Sequence, residues 1–388
     1  MAFQGCTPST QFQQWTTILL LCYLGGSFSC GAQVIVNPGP QASSSSFPTA
    51  SFIFGDSLVD AGNNNYIGSL ARANYGGNGV DFPGGKATGR FCNGRTVADI
   101  IGQLLGIPFA PVFLNPAAKG KAILRGVNYA SGGAGILDFT GYTFVNRIPL
   151  WQQISMFRNT TQQIMQLLGP ESGAALIRNS IYSVTMGSND FLNNYLVVGS
   201  PSPRLFTPKR FQERLINTYR SQLTALVNLG ARKLVISNVG PLGCIPYRMA
   251  VSSTTKGQCV QSDNSLVMSF NSALKSLVDE LNGKYPNAKF ILANSFNVVS
   301  QIISNPGGFG FATKDQACCG VPIGFHRGLS PCFPGVPFCR NRKSYFFWDP
   351  YHPTDAANVI IGNRFFSGSP SDAYPMNIKQ LAALQLPG

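Results

Sequence analysis

From Ala50 onward, short runs of β-branched and aromatic residues alternate with longer stretches whose apolar positions recur every three or four residues. This alternation predicts a parallel sheet covered by helices on both faces, because strands buried on both sides read as continuous apolar runs. Five strands are expected, over residues 51–54, 126–130, 181–186, 233–238 and 289–293. Val97, Ile100, Ile101, Leu104 and Leu105 fall on one helical face behind a Thr96 to Asp99 spacing that suits a capping box, and Gly106 and Pro108 stop that helix. A second stripe, Phe211, Leu215, Tyr219, Leu223 and Leu226, ends at Gly230, and a third runs through Leu266, Phe270, Leu274, Leu277 and Leu281. Residues 354–366 predict a last helix with Thr354 at its start. These stripes read as core. The long irregular stretches 63–95 and 306–344 exceed the usual length of connections and are expected to form the rim of a site.

The N-terminal end has a different character. An apolar stretch over residues 15–24, followed by Gly25, Gly26, Ser27, Ser29, Gly31 and Ala32, reads as a signal peptide over 1–32, although no Lys or Arg precedes it. It is too short to span a bilayer comfortably, and no later segment approaches about 18 uninterrupted apolar residues, so no stable membrane insertion is expected. Residues 33–48 read as a Ser/Pro-rich linker and 49–388 as a single domain.

Of ten cysteines, Cys6, Cys22 and Cys30 would leave with the leader. Cys244 and Cys259 flank one loop, and Cys318, Cys319, Cys332 and Cys339 crowd a Pro/Gly-rich segment where bridges would stiffen a loop without a core. That pattern suits an oxidising compartment, with Cys92 as the thiol left over and the pairing open. With no Cys-x-x-Cys pair and two histidines in all, no metal site is expected. Asn159-Thr160-Thr161 offers Asn159 for glycosylation, in keeping with a secreted, extracellular protein. The net charge of +14 is spread along the chain, Arg340, Arg342 and Lys343 forming its one tight group. Scattered charge argues against a nucleic-acid partner and suits loose adherence to an acidic extracellular matrix or cell wall. A monomer is the default expectation.

Candidate chemistry gathers at the ends of the expected strands. Ser57 follows the first strand in Phe54-Gly55-Asp56-Ser57, at the carboxyl end where open α/β sheets bind ligands. Leu58 and Val59 are expected to begin a helix whose N–H groups face an anion. A serine nucleophile needs a base, and histidine has the right pKa to take its proton and return it to a leaving group. His326 lies in the cysteine-rich loop and reads as a surface or packing residue. His352 stands just before a helix in Asp349-Pro350-Tyr351-His352-Pro353-Thr354, where Asp349 would orient the ring. Asn128-Tyr129-Ala130-Ser131-Gly132-Gly133 after the second strand, and Gly187-Ser188-Asn189-Asp190 after the third, offer backbone N–H groups and a carboxamide to an oxyanion. Gly-x-Gly-x-x-Gly, Walker and Gly-x-Ser-x-Gly motifs are all absent.

These blocks, with Ser57-Leu58-Val59-Asp60-Ala61-Gly62-Asn63-Asn64, Gly89-Arg90-Phe91, Cys318-Cys319-Gly320 and Tyr351-His352-Pro353-Thr354, resemble the plant branch of the GDSL esterase/lipase family in the SGNH hydrolase superfamily. The resemblance runs from about residue 51 to about 366. It implies a flavodoxin-like three-layer α/β/α sandwich with a mostly parallel five-stranded sheet, and no organic or metal cofactor. It also implies hydrolysis of acyl esters or lipids through an acyl-enzyme. By the same resemblance Ser57, Asp349 and His352 form the triad. The oxyanion hole combines the Ser57 and Gly133 backbone N–H groups with the Asn189 side chain; Gly132 is adjacent, and spacing from Asn128 favours Gly133. Acyl transfer to an alcohol on the same site, and a non-catalytic binding protein on the same fold, are the alternatives.

Overall fold

The computed structural model describes residues 47–252, 257–320, 329 and 331–387. The leader expected over 1–32, all but the last two residues of the expected linker, and His326 lie outside the described residues. Five parallel strands form the body of the sheet: β1 Ser51–Gly55, β2 Gly126–Asn128, β3 Ile181–Thr185, β4 Lys233–Ser237 and β5 Lys289–Ala293. Two further strands, β6 Thr313–Ala317 and β7 Tyr345–Phe347, pair with each other in a separate parallel ribbon. The sixth strand of the main sheet, β8 Ala373–Tyr374, runs antiparallel to β5 and completes the order β2-β1-β3-β4-β5-β8. The sheet is therefore six-stranded rather than five-stranded. A strand of two residues carries no period to be read from sequence.

Alternation along the strands divides the molecule into two cores. The register sets Phe52 beside Val127 and Tyr182, Tyr182 beside Leu234, and Leu234 beside Phe290. This face packs against α2 Leu150–Leu168, α3 Pro170–Asn179, α4 Pro208–Asn228 and α5 Gln261–Lys284. The intervening residues Ile181, Val235 and Ile291 point to the other side. There they meet α1 Val97–Leu104, α6 Ser295–Ser304, α7 Asp355–Ser367 and α8 Ile378–Ala383. Because nearly every strand position is buried on one face or the other, the strands read as unbroken apolar runs.

The four expected helices are present as α1, α4, α5 and α7. Thr96 and Asp99 form the capping box of α1, and the Thr354 side chain caps α7 by accepting the Ala357 N–H. None of the helices among the described residues is long and apolar enough to cross a membrane. Disulfides join Cys244 to Cys259, Cys318 to Cys339 and Cys319 to Cys332, leaving Cys92 unpaired. Burial pushes the Cys92 thiol up to about 12, so it stays neutral.

Candidate active site

The site is built where β1 ends. At Gly55 a side chain would meet the Thr185 carbonyl oxygen at 2.5 Å and a Val59 methyl at 2.5 Å, so only glycine allows the strand to turn this tightly. The buried Gln153 carboxamide on α2 holds that turn, accepting the Gly55 N–H at 2.9 Å while its amide donates to the Gly55 carbonyl at 2.9 Å. Asp56 N–H donates to the Thr185 carbonyl, and the Asp56 carboxylate accepts the Leu58 N–H, which places Ser57 at the tip of a turn facing a cleft.

No helix begins after Ser57, contrary to expectation. Residues 56–59 form turns, because the buried Asp60 carboxylate draws the chain away by accepting the N–H groups of Gly62 and Asn63, and of Gly132 on the neighbouring loop.

Across the cleft, Asp349 shapes its own loop. One carboxylate oxygen accepts the N–H groups of Tyr351 and His352, both at 2.8 Å, and both oxygens lie 2.8 Å from His352 Nδ1. The ring is thereby held with Nδ1 as donor and Nε2 as acceptor. His352 Nε2 stands 2.8 Å from Ser57 Oγ. Phe91 packs against the imidazole with ring centroids 5.2 Å apart, which shields that face from water.

The glycine loop after β2 is clamped from both sides by buried carboxylates. Asp60 takes the Gly132 N–H, while Asp190 takes the N–H groups of Ile136 and Leu137 and the Thr140 hydroxyl. With its N–H so engaged, Gly132 has no donor to offer. Gly133 lines the cleft at φ +83, and its N–H and that of Ser57 have no hydrogen-bond partner among the described residues. Asn189 reaches the same cleft from just beyond β3. One Nδ2 hydrogen goes to the Ala134 carbonyl at 2.9 Å, and its Oδ1 accepts from Asn193 Nδ2. Asn193 sits in a π-helical turn over Phe191–Tyr195, a distortion often found at functional sites.

The cleft encloses about 490 Å³, and Leu58, Phe91, Met186, Leu192, Leu242 and Tyr351 contribute to its mostly apolar wall. Ser57, Gly133, Asn189, Asp349 and His352 all line it, so the structure brings the five residues singled out in the sequence to one place. Asn159 lies apart, exposed on α2, with the neighbouring Thr161 hydroxyl donating to the Arg158 carbonyl. Sequence reasoning gave no role to Gln153, Phe91, Asp60 or Asn193. Asp60, Phe91 and Asp190 stood inside the quoted motifs, whereas Gln153 carried no signal.

Burial also raises three aspartates around the site, Asp56 to about 7 and Asp60 and Asp190 to about 6. Asp60 and Asp190 each gather three donors, whereas Asp56 has the Leu58 N–H and one oxygen without a partner. Asp56 is thus the group most easily held as a neutral acid. A carboxyl raised in the folded state contributes stability that is full below the unfolded pKa near 4 and is lost as pH rises through the folded value. The melting temperature is therefore expected to fall between pH 5 and pH 8, and Asp56→Asn to flatten that fall. Equal slopes in wild type and variant would show that Asp56 does not carry it.

The sequence model of the family described as GDSL-like Lipase/Acylhydrolase matches residues 52–365. GDSL esterase/lipase At4g16230 of Arabidopsis thaliana is 46% identical over 340 residues, covering 87% of this chain and 92% of its own length. GDSL esterase/lipase At2g23540 of the same plant is 48% identical over 340 residues, covering 86% of this chain and 87% of its own. GDSL esterase/lipase At1g29670, also of that plant, is 44% identical over 375 residues, covering 96% and 98%. With the family matched from the strand before Ser57 to the helix after His352, the chain belongs to the GDSL-like lipase/acylhydrolase family and is an ester hydrolase.

Proposed function

We propose that the chain hydrolyses carboxylic esters through a Ser57-His352-Asp349 triad and an acyl-enzyme. The observation that carries this reading is the unbroken relay from the Asp349 carboxylate through His352 to Ser57 Oγ, with 2.8 Å at each step. His352 Nε2 takes the Ser57 proton as Oγ attacks the ester carbonyl carbon, and the carbonyl electrons move onto oxygen. The Ser57 and Gly133 N–H groups and the second hydrogen of Asn189 Nδ2 are the free donors in reach of that oxyanion. They are fixed before charge develops, which is what makes such donors effective. Collapse of the intermediate breaks the bond to the alcohol, which leaves with the proton from His352. Water then attacks the acyl-enzyme through the same base, releasing the acid and restoring the Ser57 hydroxyl.

Asn193 supports the same step indirectly. By donating to Asn189 Oδ1 it keeps the carboxamide from flipping, so that Nδ2 stays toward the cleft. Asn189→Ala is expected to lower kcat by about 10²–10³ with little change in melting temperature. Measured p-nitrophenyl ester turnover close to wild type would remove Asn189 from the hole.

Secretion is part of this reading. Three disulfides suit an oxidising compartment, and Asn159, exposed on α2, is its glycosylation acceptor. The net charge of +14 supports loose, salt-sensitive adherence to an acidic matrix.

A further inference from the structure

The cleft extends to both sides of Ser57, and the two sides differ in chemistry. One wall reaches the surface at Leu70, Arg72, Tyr75 and Thr143. There the Arg72 guanidinium donates one Nη2 bond to the Ile67 carbonyl, its Nε has no partner, and no carboxylate lies within ion-pair distance among the described residues. This side opens to solvent at Leu70 and Thr143 and carries the Arg72 cation.

The other wall goes inward. Ile361 and Phe365 on α7, Val97 on α1, Val299 on α6, and Ile245 and Phe346 line it. Ile245, Phe346, Ile361 and Phe365 are buried members of the core between the sheet and this helix layer, and Val97 and Val299 pack against that core. The cleft therefore enters a hydrophobic core instead of running along the surface. Two of the polar side chains along it are already engaged: Asn358 donates to the Arg95 carbonyl, and Asn238 bonds Asn294 and the Phe296 N–H.

We infer that the acyl chain of the ester runs inward from Ser57 between α1, α6 and α7 while the alcohol faces the Arg72 side, making the enzyme selective for unbranched medium- and long-chain acyl esters over acetates. The inference rests on the Ser57 reading above. A charged or hydrated limb would lose its water on entering this mostly apolar wall and find few partners, whereas alkyl groups lose nothing. Each methylene taken from water is worth about fourfold in kcat/KM. Packed helices also admit a single straight chain more readily than a branched or cyclic one.

The test compares p-nitrophenyl acetate with p-nitrophenyl octanoate, which share a leaving group and differ in the acyl limb alone. For the wild-type chain, kcat/KM for octanoate is expected to exceed that for acetate by about 4,000-fold, since the acyl limb gains six methylenes at about fourfold each. Val299→Phe and Ile361→Phe fill the limb from two different helices. Each is expected to lower octanoate turnover by about tenfold or more while acetate changes by less than about twofold, with thermal melting to confirm the fold. In parallel, calorimetry of decanoate with the Ser57→Ala protein is expected to show binding that Val299→Phe abolishes. Equal rates on the two esters, equal loss on both esters in the variants, or decanoate binding untouched by Val299→Phe would each overturn the inference. Failure of the triad reading has a separate signature, acetate hydrolysis that survives Ser57→Ala, and the decanoate arm needs no turnover to decide the inner limb.

Discussion

Turnover of p-nitrophenyl esters by the Ser57→Ala protein is expected to fall by about a millionfold, with the fold intact. The size of the effect follows from the surroundings of Ser57. Among the hydroxyls nearby, Ser131 is buried and committed, donating to Asn64 Oδ1 and accepting the Ile148 N–H, and Thr185 donates to Ser237. His352 Nε2 has Ser57 Oγ as its one hydrogen-bond partner among the described residues, so no second nucleophile stands in line with the base. What survives is the contribution of the oxyanion donors and of binding, acting on water. The fold should not suffer, because the hydroxyl supports nothing except the imidazole. Turnover retained within about a hundredfold of wild type would place the nucleophile on another residue.

Asp349→Asn is expected to lower kcat by about 10⁴ for a different reason. An asparagine Oδ1 would go on accepting the Tyr351 and His352 N–H groups that set the loop, so the backbone and the ring position should persist. Its Nδ2 would then face His352 Nδ1 as a donor. That donor would favour the tautomer that accepts on Nδ1 and carries its proton on Nε2, leaving nothing to accept the Ser57 hydroxyl proton. The variant should melt like wild type and bind substrate with a similar KM. A loss confined to stability, with kcat preserved in the folded fraction, would make Asp349 a loop residue and no more.

Much of this arrangement was legible because the parallel strands are buried on both faces and announce themselves as apolar runs. The strand ends then pointed to the candidate site, since Ser57, Gly133 and Asn189 follow three strands whose order in the sheet makes them neighbours. Less visible was anything whose logic lies in buried polar contacts. Helix α2 has no clean apolar stripe because Gln153, Thr160 and Thr161 occupy inward positions, each bonded to a backbone carbonyl or to a side chain. The turn after Ser57 was mistaken for a helix start because the sequence cannot show that Asp60 is shared between Gly62, Asn63 and Gly132, the last 72 residues away. The hydrogen bond that engages the Gly132 N–H and leaves that of Gly133 free was likewise out of reach of the sequence. The edge strand β8 has two residues and owes its conformation to β5.

The two side chains of the proposed relay are made far apart in time. Ser57 and His352 are 295 residues apart, and β1 lies between β2 and β3, both of which follow it. A growing polypeptide therefore carries the proposed nucleophile almost from the outset but lacks the proposed base until nearly the whole domain has emerged. Contacts this remote form slowly and late. If the proposed triad holds, ester cleavage waits until His352 has folded against Ser57, and any product of premature termination before Asp349 is expected to be inert.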